Sequence, residues 1–138
     1  MRMLKGEIFP FALVLVDNEE EFYKLTAKEE KAGPFPLPGA ATTLNYSGDG
    51  IGSIILVALG SLEDSEPGEA ESILTHEAVH VKQFVFEDIG EDNPGVETEA
   101  YFIQYIANYL IKELHYRQAK QAKKEAKENG HPGERHED

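Results

Sequence analysis

Residues 76–80 read His-Glu-Ala-Val-His, and this pentapeptide restricts what the chain around it can form. In a helix, histidines four positions apart stand on one face, one turn apart. There two neutral imidazoles can reach a single tetrahedral zinc ion. Glu77 is then rotated about 100° from His76, so it flanks the metal without ligating it. From that place a carboxylate can take a proton from a zinc-bound water. The sequence meets the helical requirement, because residues 69–86 contain no proline or glycine. With His76 at 0°, Ile73, Leu74, Val81, Phe84 and Val85 fall between about 60° and 180° as one apolar stripe. His76, His80 and Gln83 border that stripe, and Val79 and Phe86 lie beyond them. The histidines therefore occupy a narrow polar strip between apolar groups, as at the floor of a cleft. The competing reading is a pair of surface or hydrogen-bonded histidines with no metal.

A catalytic zinc site needs a third protein ligand and an open fourth position. The chain has no cysteine, so that ligand must be histidine or carboxylate. Glu87, Asp88, Glu91, Asp92, Glu97 and Glu99 follow the motif. On a helix beginning near residue 96, Phe102, Ile103, Ile106, Ala107, Leu110 and Leu114 share the face centred on Glu99, while Glu97 falls on the opposite side. An ionised carboxylate on a core face is costly unless it is paired or bound to a metal. Glu99 is thus the expected third ligand. The alternative is a snorkelling or salt-bridged glutamate in the first helical turn.

The remaining pattern predicts a small α+β domain. Residues 7–16 read as a buried strand, followed by a helix to about residue 28 that Asp17 or Asn18 caps. Residues 32–39, with three prolines and two glycines, form an extended connector. Residues 41–46 and 51–59 read as a β-hairpin around Ser47-Gly48-Asp49-Gly50. Acidic loops at 60–68 and 87–95 bracket the motif helix, and a long helix runs from about 96 into the 120s. The expected architecture is a short mixed sheet, made of the N-terminal strand and the hairpin, packed on the motif helix and the long C-terminal helix. The domain is expected to span residues 1–117. Residues 118–138 read as a charged helical extension, without a core face, and a disordered tail.

Charge narrows the partners. With 26 acidic and 13 basic residues the formal net charge is −13. Such a chain repels phosphate backbones and anionic membrane surfaces, so neither nucleic acid nor membrane is an expected partner. The apolar run at 8–16 is only nine residues long, contains Pro10 and lacks a small-residue cleavage site. It reads as a strand rather than an export signal. The expected location is the cytoplasm or another soluble compartment.

His76-Glu77-Ala78-Val79-His80, then 18 residues, then Glu99-Ala100-Tyr101 resembles the gluzincin zinc metallopeptidases. More narrowly it resembles their minimal single-domain members, including peptidases of phage or prophage origin. The resemblance covers residues 7–115 and implies a zincin-like core. Gln83 and Phe86 stand where the metzincin branch has glycine and histidine, which excludes that branch. Ile103 replaces the acidic residue that supports a ligating histidine in thermolysin-like relatives, so that support must come from elsewhere. What the resemblance implies is a zinc-dependent peptidase that hydrolyses amide bonds. His76, His80 and Glu99 would hold Zn2+, and Glu77 would act as general base. A peptide or protein substrate would add to a sheet edge at residues 51–59. Tyr101, Tyr105, Tyr109 and His115 have the chemistry of an oxyanion donor, and none is singled out. The alternative function is a zinc-binding module, weakly active or inactive, that serves protein binding or assembly.

Overall fold

The two most apolar runs become neighbouring parallel strands at the centre of a sheet. The computed structural model describes residues 2–6, 9–27, 30–48 and 52–129. Its strands are β1 (Leu4–Lys5), β2 (Phe11–Val16), β3 (Ala41–Gly48) and β4 (Gly52–Leu59). They lie in the order β1-β2-β4-β3. β2 and β4 pair in parallel, with Leu13 opposite Ile55. β3 returns antiparallel on β4, with Leu44 opposite Leu56, and β1 antiparallel on β2. The fold is α+β with a mixed sheet, as the sequence pattern predicts.

Residues 51–59 were expected to form the sheet edge, and the topology corrects this. β4 is hydrogen-bonded on both sides, to β2 and to β3. The open edges belong to β3 and to the two-residue β1. Hairpin pairing leaves one side of β4 free, and the parallel crossover from β2 fills it. β1 carries no alternation to read, being too short. The expected strand start at residues 7 and 8, the turn residues Asp49 and Gly50, and the tail at 130–138 lie outside the described residues.

The helices cover both faces of the sheet. On one face, Leu13 and Leu15 of β2 and Ile55, Val57 and Leu59 of β4 pack on α2 (Glu69–Asp88) and α3 (Val96–Asn129). On the other, Val14, Val16, Leu56 and Ala58 pack against Phe22 of α1 (Glu19–Thr26) and Phe35 of the proline-rich connector. Burial on both faces is why these strands read as continuous apolar runs rather than alternating ones. Asn18 caps α1 by accepting the Glu21 amide at 2.8 Å, with Glu19, Glu20 and Glu21 in its first turn.

The approach to α2 depends on Gly60. The connector crosses the end of β4 so closely that a Cβ at Gly60 would stand 2.2 Å from the Leu37 carbonyl oxygen. Backbone bonds Gly60 N to Ala40 O (2.8 Å) and Gly39 N to Ser61 O (2.9 Å) fix this crossing. α2 then runs across the sheet face. On α3, Phe102, Ile106, Leu110 and Leu114 form the buried stripe, and residues 118–129 are exposed throughout. Among the described residues, no helix is long and apolar enough to cross a membrane.

Candidate metal centre

α2 presents the pentapeptide as the spacing requires. The imidazoles of His76 and His80 stand side by side with ring centres 5.0 Å apart and planes at 72°. Two imidazoles on one tetrahedral zinc, at Zn–N distances of about 2.0–2.1 Å, would place their ring centres about 5 Å apart. The spacing of the pair is thus that of two ligands on one zinc ion. His76 is exposed and His80 half-buried, so the strip between them opens to solvent.

His80 is held by its own helix. Its Nδ1 lies 2.9 Å from Gln83 Oε1. An amide oxygen only accepts, so Nδ1 carries the proton in this contact and Nε2 keeps its lone pair for a metal. Gln83 thus fixes the orientation of the His80 ring. Its position three residues after His80 was readable from the sequence as a same-face neighbour.

Glu77 points the other way, into the contact between α2 and the sheet. Only 5% of it is exposed. Thr43 Oγ1, on the edge strand β3, donates to Glu77 Oε1 at 2.7 Å. One step along the same strand face, Asn45 Nδ2 donates to Asp88 Oδ2 at 2.9 Å. The alternation of β3 aims Thr43 and Asn45 at α2 and Leu44 at the opposite core. The polar spacing of Thr43 and Asn45 was visible in the sequence, but nothing local named Glu77 as a partner.

Glu99 does not join the histidines in this arrangement. Its half-buried carboxylate accepts from Lys82 Nζ at 2.6 Å, across the α2–α3 contact. Lys82 leaves α2 about 120° from His76, on the side away from Glu77. Among the described residues, no three His, Cys, Asp or Glu side chains form a group that could hold a metal ion. Two of the three expected ligands are brought together, and the third is held by a lysine. Glu97 is exposed on the polar side of α3, as expected.

The oxyanion candidates are scattered. Tyr101 and Tyr105 are exposed on α3. His115 Nε2 pairs with Glu71 Oε2 at 2.7 Å, and Tyr109 donates to the Arg2 carbonyl at 3.5 Å. Burial pushes the Tyr109 phenol above its ordinary range, and the Glu113 carboxylate adds to this. A second buried carboxylate went unread in the sequence. Glu113 on α3 is 2% exposed and meets Arg117 at 3.2 Å and Arg2 at 3.1 Å. Arg117 also reaches Asp17 at 3.1 Å, and Arg2 stacks on the Tyr116 ring at 3.7 Å. The Arg2 contact is an ion pair rather than a hydrogen bond, since Glu113 Oε1 has no hydrogen-bond partner.

Comparison with known protein families, with curated proteins and with solved structures returned no match.

Proposed function

We propose that this chain is a zinc-dependent peptidase in which His76 and His80 bind the metal, Glu99 completes its protein ligands and Glu77 is the general base. The observation that carries this reading is the 5.0 Å pairing of the two imidazoles beside a buried, oriented Glu77. When bound, zinc supplies Lewis acidity toward a water and a scissile carbonyl. Thr43 holds Glu77 through Oε1, which leaves Oε2 to take the proton of the attacking water. Glu77 then passes that proton to the leaving amine nitrogen. Gln83 keeps His80 in the tautomer that offers Nε2.

The open edge of β3 is where an extended peptide would pair, because its other side is taken by β4. A peptide there would run past Thr43 and so past Glu77. No nucleic acid or membrane enters this reading, given the net charge of −13.

A second reading, a zinc-binding module without turnover, is favoured by the engagement of Glu99 with Lys82. Two measurements separate the readings. Elemental analysis of the purified protein should give one zinc per chain, and the absence of stoichiometric zinc sinks both. Glu77→Gln should keep that zinc while cleavage of a peptide library falls by about 10²–10⁴-fold. Equal behaviour of wild type and variant leaves only the binding module.

A further inference from the structure

Among the described residues, β3 is the only long strand with an open edge. Natural sheets blunt such an edge with charge, proline, a bulge or brevity. The opposite edge, β1, is two residues long. β3 uses none of these devices. Residues 41–48 hold no charged residue and no proline. Its register on β4 runs one to one from Ala41 opposite Leu59 to Gly48 opposite Gly52, without a bulge. A second feature lies beside it. α2 ends on Glu87 and Asp88 with no basic residue in its last turn, and Glu91 and Asp92 follow. All four are exposed. Carboxylates at a helix C-terminus face the negative pole of its dipole, so this end of α2 is electrostatically unfavourable as it stands. The Asn45–Asp88 bond at 2.9 Å fastens it to β3. On the other face of the strand, Lys31 lines a groove with Leu44 and Tyr46.

We infer that β3 docks an extended protein segment carrying Lys or Arg at alternate positions, with those side chains on the α2 side of the strand. This deepens the edge pairing of the proposed function, rests on it for the docking strand and needs no metal. In a strand added to the edge, every second side chain falls on one face of the sheet. On the α2 face, cations approach the acidic end of the helix and relieve both the repulsion among its carboxylates and the unfavourable dipole end. On the opposite face they approach Lys31 instead. A slip of one residue exchanges the two faces, so charge selects the register of the segment as well as its composition. A second copy of this chain is a poor occupant, because each copy carries a net charge of −13.

The test titrates peptides of about ten residues, alternating Thr with Lys, Gln or Glu, into the full chain with a chelator present, so that no cleavage intrudes. The Lys peptide should bind at least about tenfold more tightly than the Gln peptide, by a margin that shrinks in salt, and the Glu peptide should not bind. Binding should slow exchange of the outward amides of residues 41–46 and leave residues 118–129 unchanged. Glu87→Gln, Glu91→Gln and Asp92→Asn combined should bring the Lys and Gln peptides within about threefold of each other, with an unchanged circular dichroism spectrum. Tight binding of the Lys peptide without slowed exchange in β3 overturns the inference, by assigning the effect to net charge. A preference for Lys that survives the triple variant also overturns it. Equal binding of the Lys and Gln peptides at β3 overturns the basic preference and leaves the edge pairing standing. Exchange in β3 that slows with protein concentration alone overturns it in favour of a second copy. No binding of any peptide overturns the inference and the edge pairing together, while zinc content is decided separately by elemental analysis.

Discussion

Glu77 and Glu113 are both carboxylates on the core faces of helices, 5% and 2% exposed, yet their surroundings differ in kind. Glu113 is met by two guanidiniums, Arg2 and Arg117, and Arg117 is itself shared with Asp17. Its charge is neutralised where it stands, and it ties α3 to the N-terminal residues and to the end of β2. Glu77 receives a hydroxyl from Thr43 and turns away from the exposed His76 and the half-buried His80 on the same helix. A neutral donor orients a carboxylate without quenching it. Burial of an acid is thus no mark of chemistry by itself. Partners that fix direction while leaving the charge available are the better sign.

The contrast can be broken by experiment. Glu113→Ala should cost about 2–3 kcal/mol in urea unfolding, because Arg117 loses its buried partner. The estimate excludes Arg2, whose side chain is 54% exposed. Glu77→Gln should stay within about 1 kcal/mol of wild type. Similar losses at both positions would erase the distinction between them. Next in size is Gln83→Ala, which should weaken zinc binding by about tenfold in a dye competition while leaving the unfolding midpoint nearly unchanged. Thr43→Val is subtler. It should cost about 1 kcal/mol of stability and lower kcat with zinc content preserved, since it disturbs the base and not the ligands. Loss of zinc in that variant would mean that Thr43 supports the histidines instead.

The smallest effect belongs to the exposed pair of Glu71 and His115. The hydrogen bond from His115 holds the Glu71 carboxyl below its ordinary 4.5. A carboxyl lowered in the folded state stabilises the fold above its unfolded value, and loses that contribution as pH falls through the folded one. Glu71→Gln should therefore slightly flatten the decline of Tm on acidification below about pH 4.5, with no change at neutral pH. An identical acid limb in wild type and variant would show that this contact carries no linkage.

Much of the fold was legible because its signals are local. The run from Phe11 to Val16, the hairpin strands and the helix around His76 each announce themselves by composition and period. The pairing of β2 with β4 joins Leu13 to Ile55, and no local pattern encodes that register. The edge was misplaced for this reason, because an edge is a property of the whole sheet. The site divides in the same way. His76, His80 and Gln83 belong to one helix, so spacing alone relates them. Thr43 with Glu77 and Lys82 with Glu99 are contacts between elements. A carboxylate on an apolar helix face needs a counter-charge, which Glu99 finds in Lys82, and helical phase alone does not distinguish a lysine from a metal.

α3 is 34 residues long, about 51 Å at 1.5 Å per residue, and its last dozen described residues touch nothing that buries them. A free peptide of that composition would hold little helix in water, because nucleation is the unfavourable step. Here the packed turns through Leu114 serve as the nucleus, and residues 118–129 only propagate it. Their amides should then exchange with solvent in a gradient that steepens toward Asn129, by fraying rather than by unfolding of the domain. The free third of α3 is in effect a thermometer of local helix strength attached to a body that does not share its melting.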